Sequence, residues 1–162
     1  PYYWEDKIVS STLIRKTLSA GDVKLAGEYL GRPYKFSGWV IKGDARGAAL
    51  GYPTANLKLT SAYKMLPLNG VYAVFSIIGE KKYRSLLYIG NRPTYGYGDL
   101  TIEVFLLDFD GDLYGESISV ELIERLRGDV KFGSQDELVK QMQADERRGR
   151  EILEKANIII DI

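Results

Sequence analysis

The sequence predicts a mainly-β domain closed as an antiparallel barrel, with one amphipathic helix behind it. From Tyr34 onward six short runs read as strands, at 34–42, 55–60, 70–78, 82–90, 100–109 and 116–123. Tight-turn signals punctuate them, Gly79-Glu80 and Asp110-Gly111 among them. Many short strands between glycine-rich turns argue for a closed antiparallel barrel. After the strands, Leu138, Met142, Gly149, Ile152, Leu153 and Ala156 recur at helical spacing.

Residues 1–30 read differently, as two short helices. Ser10, Ser11 or Thr12 can cap a helix across Leu13–Leu18, and Gly21 can end it. Asp22 can cap a second across Val23–Leu30, stopped by Gly31 and Pro33. The first barrel strand then runs into the loop Gly43-Asp44-Ala45-Arg46-Gly47-Ala48-Ala49-Leu50-Gly51. Gly43, Gly47 and Gly51 let backbone N–H groups approach a polyanion closely. Pro53 fixes φ and biases Tyr52 to extended geometry. Thr54 and Asn56, two apart, point to one side of the next strand. Their oxygens are hard ligands, suited to Mg²⁺ on a nucleotide phosphate. An ordinary hairpin loop running into a strand explains the same residues equally well.

In the strand 101–109, Ile102, Val104, Leu106 and Asp108 share one side; Thr101, Glu103, Phe105, Leu107 and Phe109 share the other. Both sides are mostly apolar, so Glu103 is expected in a partly buried setting. Burial raises a carboxylate pKa towards the range of a useful base. The competing reading is an edge-strand glutamate facing water. Asp108-Phe109-Asp110-Gly111-Asp112 does not match a calcium loop: Gly111 is fourth and Glu116 ninth from the first Asp, where glycine at six and glutamate at twelve are needed. An Asp-Gly hairpin is the expectation. No G-x-x-x-x-G-K-[ST] is present, and Gly96-x-Gly98 lacks the third glycine of a dinucleotide fingerprint. The glycine-rich stretch Asn91–Asp99 is long for a hairpin and precedes Glu103, a place from which a loop can close on a ligand. At the last helix, Ser134-Gln135-Asp136-Glu137 fits a capping box. Ile158-Ile159-Ile160 reads as a short added strand or a frayed end.

Composition narrows the chemistry. The chain has 162 residues, enough for one sizeable core, and is 45% hydrophobic without a membrane-length apolar run. No signal peptide is visible. Lysine plus arginine balances aspartate plus glutamate at 22 each, which disfavours nucleic acid as a partner. Zero cysteines fit a reducing compartment, and a cytoplasmic location is expected. Zero histidines exclude Ser-His-Asp and Cys-His catalysis and every histidine metal site. A general base must then be a carboxylate, lysine or tyrosine.

Gly51-Tyr52-Pro53-Thr54-Ala55-Asn56 resembles the signature of riboflavin kinases, including the kinase module of bacterial bifunctional FAD synthetases. Further segments follow in the family's order. Pro67-Leu68-Asn69-Gly70-Val71-Tyr72 is similar to its P-x-x-G-V-Y, and Ile89-Gly90-Asn91-Arg92-Pro93-Thr94 to its I-G-x-R-P-T. Ile102-Glu103-Val104, then Asp108-Phe109 and Leu113-Tyr114-Gly115, resemble its acid-bearing strand and hairpin. Leu126-Arg127, Lys131-Phe132 and Ser134 resemble its flavin-side loop. The likeness spans about residues 31–155, and the ordered set is highly specific.

The resemblance implies a six-stranded Greek-key barrel with a helix packed outside. It implies transfer of the ATP γ-phosphoryl group to the riboflavin 5′-hydroxyl, giving FMN and ADP. Glu103 would be the base, and Thr54 and Asn56 would hold Mg²⁺. Lys42, Gly43, Gly47, Gly51, Pro53 and Tyr114 would join them on the ATP and phosphate side, and Arg127 and Phe132 would contact the flavin ring. Many relatives carry a basic residue just before the loop's Leu-Gly; here Ala48 and Ala49 stand there, leaving Lys42 or Arg46 to substitute. Val9-Ser10-Ser11-Thr12-Leu13-Ile14-Arg15 resembles the end of an adenylyltransferase module. Residues 1–30 are therefore expected to be a helical linker from a preceding, covalently joined module, and 31–162 the kinase domain. The rival readings are a non-catalytic flavin-binding barrel and, less favoured, an OB-type nucleic-acid barrel.

Overall fold

The structure is a computed structural model, and it describes residues 1–42, 51–92 and 99–160. It opens with a hairpin of β1 (Tyr2–Trp4) and β2 (Lys7–Val9). Glu5 and Asp6 take φ of 44° and 65°, the pair of positive values that a two-residue turn between twisted strands requires. This hairpin was not anticipated from sequence. The two helices were: α1 (Ser11–Ser19) is capped by Ser10, and α2 (Val23–Leu30) by Asp22 and ended by Gly31 at φ 73°.

Six strands then close a barrel: β3 (Lys35–Ile41), β4 (Ala55–Leu59), β5 (Gly70–Ile78), β6 (Lys81–Arg92), β7 (Asp99–Leu106) and β8 (Ser117–Arg127). The order around it is β3-β4-β7-β6-β5-β8, and every pairing is antiparallel. Strands β5, β6 and β7 follow one another as neighbours, and β8 returns beside β5, which is the Greek-key arrangement.

Two expectations are corrected here. Asp110-Gly111 is not a hairpin turn, because β7 and β8 are not neighbours; the segment crosses over. The strand expected over 100–109 ends at Leu106, and Asp108 turns the chain away at φ 59°. Strand β8 also runs four residues past the predicted 123, because two register shifts let its end follow β5 round the closing wall.

Period-two alternation sorts the side chains. Phe36, Val40, Leu57, Tyr72, Val74, Leu87, Ile89, Ile102, Val104, Leu106, Ile118, Val120 and Leu122 fill the interior. Leu18, Val23 and Ala26 join that same cluster, so α1 and α2 pack onto the barrel. Gly21 lies against Arg125, whose Nη2 donates to the Asn69 carbonyl at 2.6 Å.

The outer wall carries a second cluster of Val71, Ala73, Phe75, Leu86, Leu126 and Leu153. It is covered by α3 (Gln135–Ile160), which Ser134 caps by accepting from Glu137 N–H at 3.2 Å. Glu137 reaches back to the N–H of Gly133, one residue before the cap. The backbone is helical through Ile160, so no added strand forms there. Gly149 brings α3 close to the wall: a Cβ there would fall 2.6 Å from Leu86.

Candidate active site

The outer wall holds one continuous row of side chains. Antiparallel register places Ile41 opposite Asn56, Asn56 opposite Glu103, Glu103 opposite Tyr88, Tyr88 opposite Val71, and Val71 opposite Arg127. Directly opposed residues share a face. Asn56 and Glu103 face outward because their neighbours Leu57, Ile102 and Val104 face the interior. The row thus carries proposed phosphate, base and flavin residues across adjacent strands, in that order.

Glu103 is only 5% exposed. The Thr54 hydroxyl reaches its Oε1 in a long contact of 3.5 Å. The expected partly buried setting is therefore found, and the edge-strand reading is not. Among the described residues, Glu103 and Asp145 are the two buried carboxylates.

The pairing of β4 with β7 is short. It covers Ala55 and Asn56 only. Beyond them stands Pro53, which has no N–H to give a ladder. The strands part there, and a cavity of about 440 Å³ opens between Val40–Lys42, Pro53–Asn56, Val104, Leu106 and the crossover Phe109–Tyr114. Lys42, Pro53, Thr54, Asn56 and Tyr114 thus meet at one cavity. Gly51 precedes it at φ 86°, a value that favours glycine. Gly43, Gly47 and Arg46 lie outside the described residues, as do Ala48, Ala49 and residues 93–98 of the glycine-rich segment before Glu103.

At the other end, Arg127 is the last residue of β8. Its Nε donates to both Asp145 oxygens, at 3.1 and 2.9 Å, and Gln141 donates to the same carboxylate at 3.0 Å. Its guanidinium lies over the Phe132 ring, 5.4 Å from the centroid. A flat cation on a flat ring makes an edge against which another flat ring can stack. Tyr52 packs edge-on to Phe105 with ring centroids 5.3 Å apart. Burial pushes its hydroxyl pKa up, helped by the Glu146 and Asp145 carboxylates. The Gly51–Asn56 motif therefore touches the wall beneath α3 through Tyr52. Sequence reasoning named Tyr52 only for its backbone and its place in the motif, and did not single out Asp145 or Tyr88.

A family profile described as Flavokinase, riboflavin kinase, matches residues 30–153. The chain belongs to the riboflavin kinase family. The bifunctional riboflavin kinase/FMN adenylyltransferase of Bacillus subtilis is 40% identical over 146 residues, 88% of this chain and 46% of that protein. That of Escherichia coli K12 is 41% identical over 144 residues, 88% and 45% respectively. The chain thus spans about half the length of these curated relatives and is homologous to their kinase module. A crystal structure named as a macrolide-efflux protein from Streptococcus pneumoniae superposes with a TM-score of 0.86 at 41% identity, covering 93% of this chain and 49% of that one. The crystal structure of riboflavin kinase from Trypanosoma brucei matches with a TM-score of 0.56 at 24% identity, covering 76% and 78%, and shows the shared barrel fold. No described helix of this riboflavin kinase domain is long and apolar enough to cross a membrane.

Proposed function

We propose that this riboflavin kinase domain transfers the ATP γ-phosphoryl group to the riboflavin 5′-hydroxyl at the Asn56–Glu103 end of the outer-wall row. The observation that carries the reading is the direct opposition of Asn56, which lines the cavity, and Glu103 on the neighbouring strand. Phosphoryl transfer needs positioning and charge neutralisation more than covalent chemistry by the protein. The cavity beside Lys42, Pro53, Thr54 and Tyr114 takes the nucleotide, with Gly43, Gly47 and Gly51 proposed to bind its phosphates.

The Thr54 hydroxyl and Asn56 amide oxygen are neutral hard donors, and they fit Mg²⁺ brought by the nucleotide. The ion would neutralise phosphate charge there. Glu103, beside both, takes the proton of the 5′-hydroxyl as the O–P bond forms and the β–γ bridge bond breaks towards ADP. The flavin ring lies at Arg127 and Phe132, where Asp145 and Gln141 hold the guanidinium. Residues 1–30 join the domain to an adenylyltransferase module in a longer parent chain, and the protein acts in the cytoplasm, without nucleic-acid or membrane partners.

Incubation of the chain with riboflavin, ATP and Mg²⁺ tests the reading. FMN and ADP should form together, each dependent on both substrates. No FAD should form from FMN and ATP, since the H-x-G-H loop of the adenylyltransferase module needs histidines and the chain has none. Flavin binding without ADP formation would favour a non-catalytic barrel.

A further inference from the structure

Strand β7 ends at Leu106, and the Leu107 N–H still donates to the Arg84 carbonyl of β6 at 2.9 Å. At Asp108 the chain leaves the sheet with φ 59°, a left-handed value that aspartate tolerates better than most residues. The next six residues, the crossover Phe109–Tyr114, line the cavity. Asp108 is therefore the joint between a paired strand and a cavity wall. Arg150 of α3 holds it with two hydrogen bonds, Nη1 donating to Oδ2 at 2.7 Å and Nη2 to Oδ1 at 3.0 Å. Glu146, one helical turn earlier, lies 3.7 Å from the Arg150 Nε.

The crossover is tied at both ends. Just past its far end, the Gly115 N–H donates to the Val40 carbonyl at 3.1 Å and the Val40 N–H to the Glu116 carbonyl at 2.9 Å, which fastens it to β3. Within it, Phe109 packs edge-on to Tyr83, with ring centroids 5.3 Å apart. Just before its near end, the Asp108 side chain is anchored to α3. The Asp108 and Arg150 side chains are 72% and 34% exposed, and ion pairs this open to water add little to global stability. Their geometry matters more. A guanidinium held on both oxygens of a carboxylate fixes direction as well as distance. Fixing Asp108 fixes where the crossover starts, and with it one wall of the cavity that Lys42, Thr54 and Asn56 also line.

We infer that Arg150 is a positioning residue for the nucleotide, acting through Asp108 to hold the crossover Phe109–Tyr114 where the cavity can receive MgATP. The inference rests on the reading of that cavity as the nucleotide site. Arg150 itself touches no reacting atom. Without it the crossover keeps its tie to β3 but samples other positions at the Asp108 end, and apparent affinity falls by the fraction of time spent there. Helix α3 then does more than cover the outer wall: Asp145 sets Arg127 on the flavin side, and Arg150 sets the crossover on the nucleotide side.

The test follows initial rates of FMN formation by the wild-type chain, Arg150→Ala, Asp108→Asn and the double variant. MgATP is varied at saturating riboflavin, and riboflavin at saturating MgATP. Asp108→Asn keeps the shape and the tolerance for a positive φ, so a folded variant is in hand, as thermal unfolding checks. Each single change should raise the KM for MgATP about 3- to 5-fold, the most an exposed pair supports, and leave kcat and the KM for riboflavin within about 2-fold. The double variant should raise it no further than either single change, because the two residues act as one unit. An unchanged KM for MgATP in both single variants would overturn the inference, as would equal losses for the two substrates. Effects that multiply in the double variant would show Arg150 acting by its charge and not through Asp108, and would overturn it too. All three results leave the kinase reading standing. A wild-type chain that forms no FMN would remove that reading, and the inference with it.

Discussion

Replacing Asp145 with alanine should be among the costliest single changes on the outer wall, and the structure sets its size. Arg127 and Asp145 are 18% and 7% exposed at the side chain, and the arginine Nε bonds both carboxylate oxygens. Truncation leaves a cation where water barely reaches and strips Gln141 of its acceptor. Breaking a buried pair by removing one partner costs ~3–5 kcal/mol. Arg127 keeps some exposure and a bond from Nη1 to the Gly128 carbonyl at 3.1 Å, so the lower end of that range, about 3 kcal/mol, is expected. At ~2–4 °C per kcal/mol for a chain of this length, the unfolding midpoint should fall by about 6–12 °C. Calorimetry or urea denaturation measures this, and a riboflavin titration on the same sample should show weaker flavin binding with ATP use retained. The double variant Arg127→Met, Asp145→Leu removes both charges and should be more stable than Asp145→Ala alone. A loss below ~1 kcal/mol would show that solvent screens the pair, and the argument from burial would fail.

Thr54→Ala and Asn56→Ala should each raise the MgATP requirement and lower turnover with the fold intact, since each removes one oxygen from the proposed cation site; unchanged ATP titrations in both would remove the metal assignment. Gly38→Ala should destabilise by ~1–3 kcal/mol, because its Cβ would meet the Lys58 carbonyl oxygen at 2.9 Å and backbone cannot give way cheaply; a neutral result in urea denaturation would contradict the close packing of β3 on β4. Arg150 donates to both oxygens of Asp108 and holds its carboxyl below the usual carboxylate range, mainly through the hydrogen bond. A lowered pKa gives stability that is present above the ordinary value, about pH 4, and is lost as pH falls through the depressed one. Asp108→Asn, which tolerates the positive φ, should therefore lower the midpoint slightly at pH 7 and not in strong acid, whereas an equal loss at both would point to backbone strain.

The barrel was legible because its strands alternate cleanly: Phe36, Gly38 and Val40 point in while Lys35, Trp39 and Ile41 point out. The helix caps Ser10, Asp22 and Ser134 were legible for the same local reason. Topology was less so. Asp110-Gly111 carries the chemistry of a hairpin turn, but barrel closure places β8 beside β5 and β3, and local sequence does not encode which strands meet. The burial of Glu103 followed from apolar neighbours on both sides of its strand. Asp145 does carry a signal in the sequence. It sits on the apolar stripe Leu138, Met142, Gly149, Leu153 of α3, where a carboxylate has to find a buried partner. Tyr88 left none, because its place in the row depends on register between distant strands.

The proposed transfer depends on Glu103 accepting the proton of the hydroxyl that attacks ATP. Glu103→Gln keeps the shape and an oxygen facing Thr54 but cannot take that proton near neutral pH. Single-turnover formation of FMN at saturating riboflavin and MgATP tests it most directly. A rate ~10²–10⁴-fold below wild type is expected, with both ligand affinities and the unfolding midpoint nearly preserved. A stable, ligand-competent Glu103→Gln chain that forms FMN at close to the wild-type rate would contradict it.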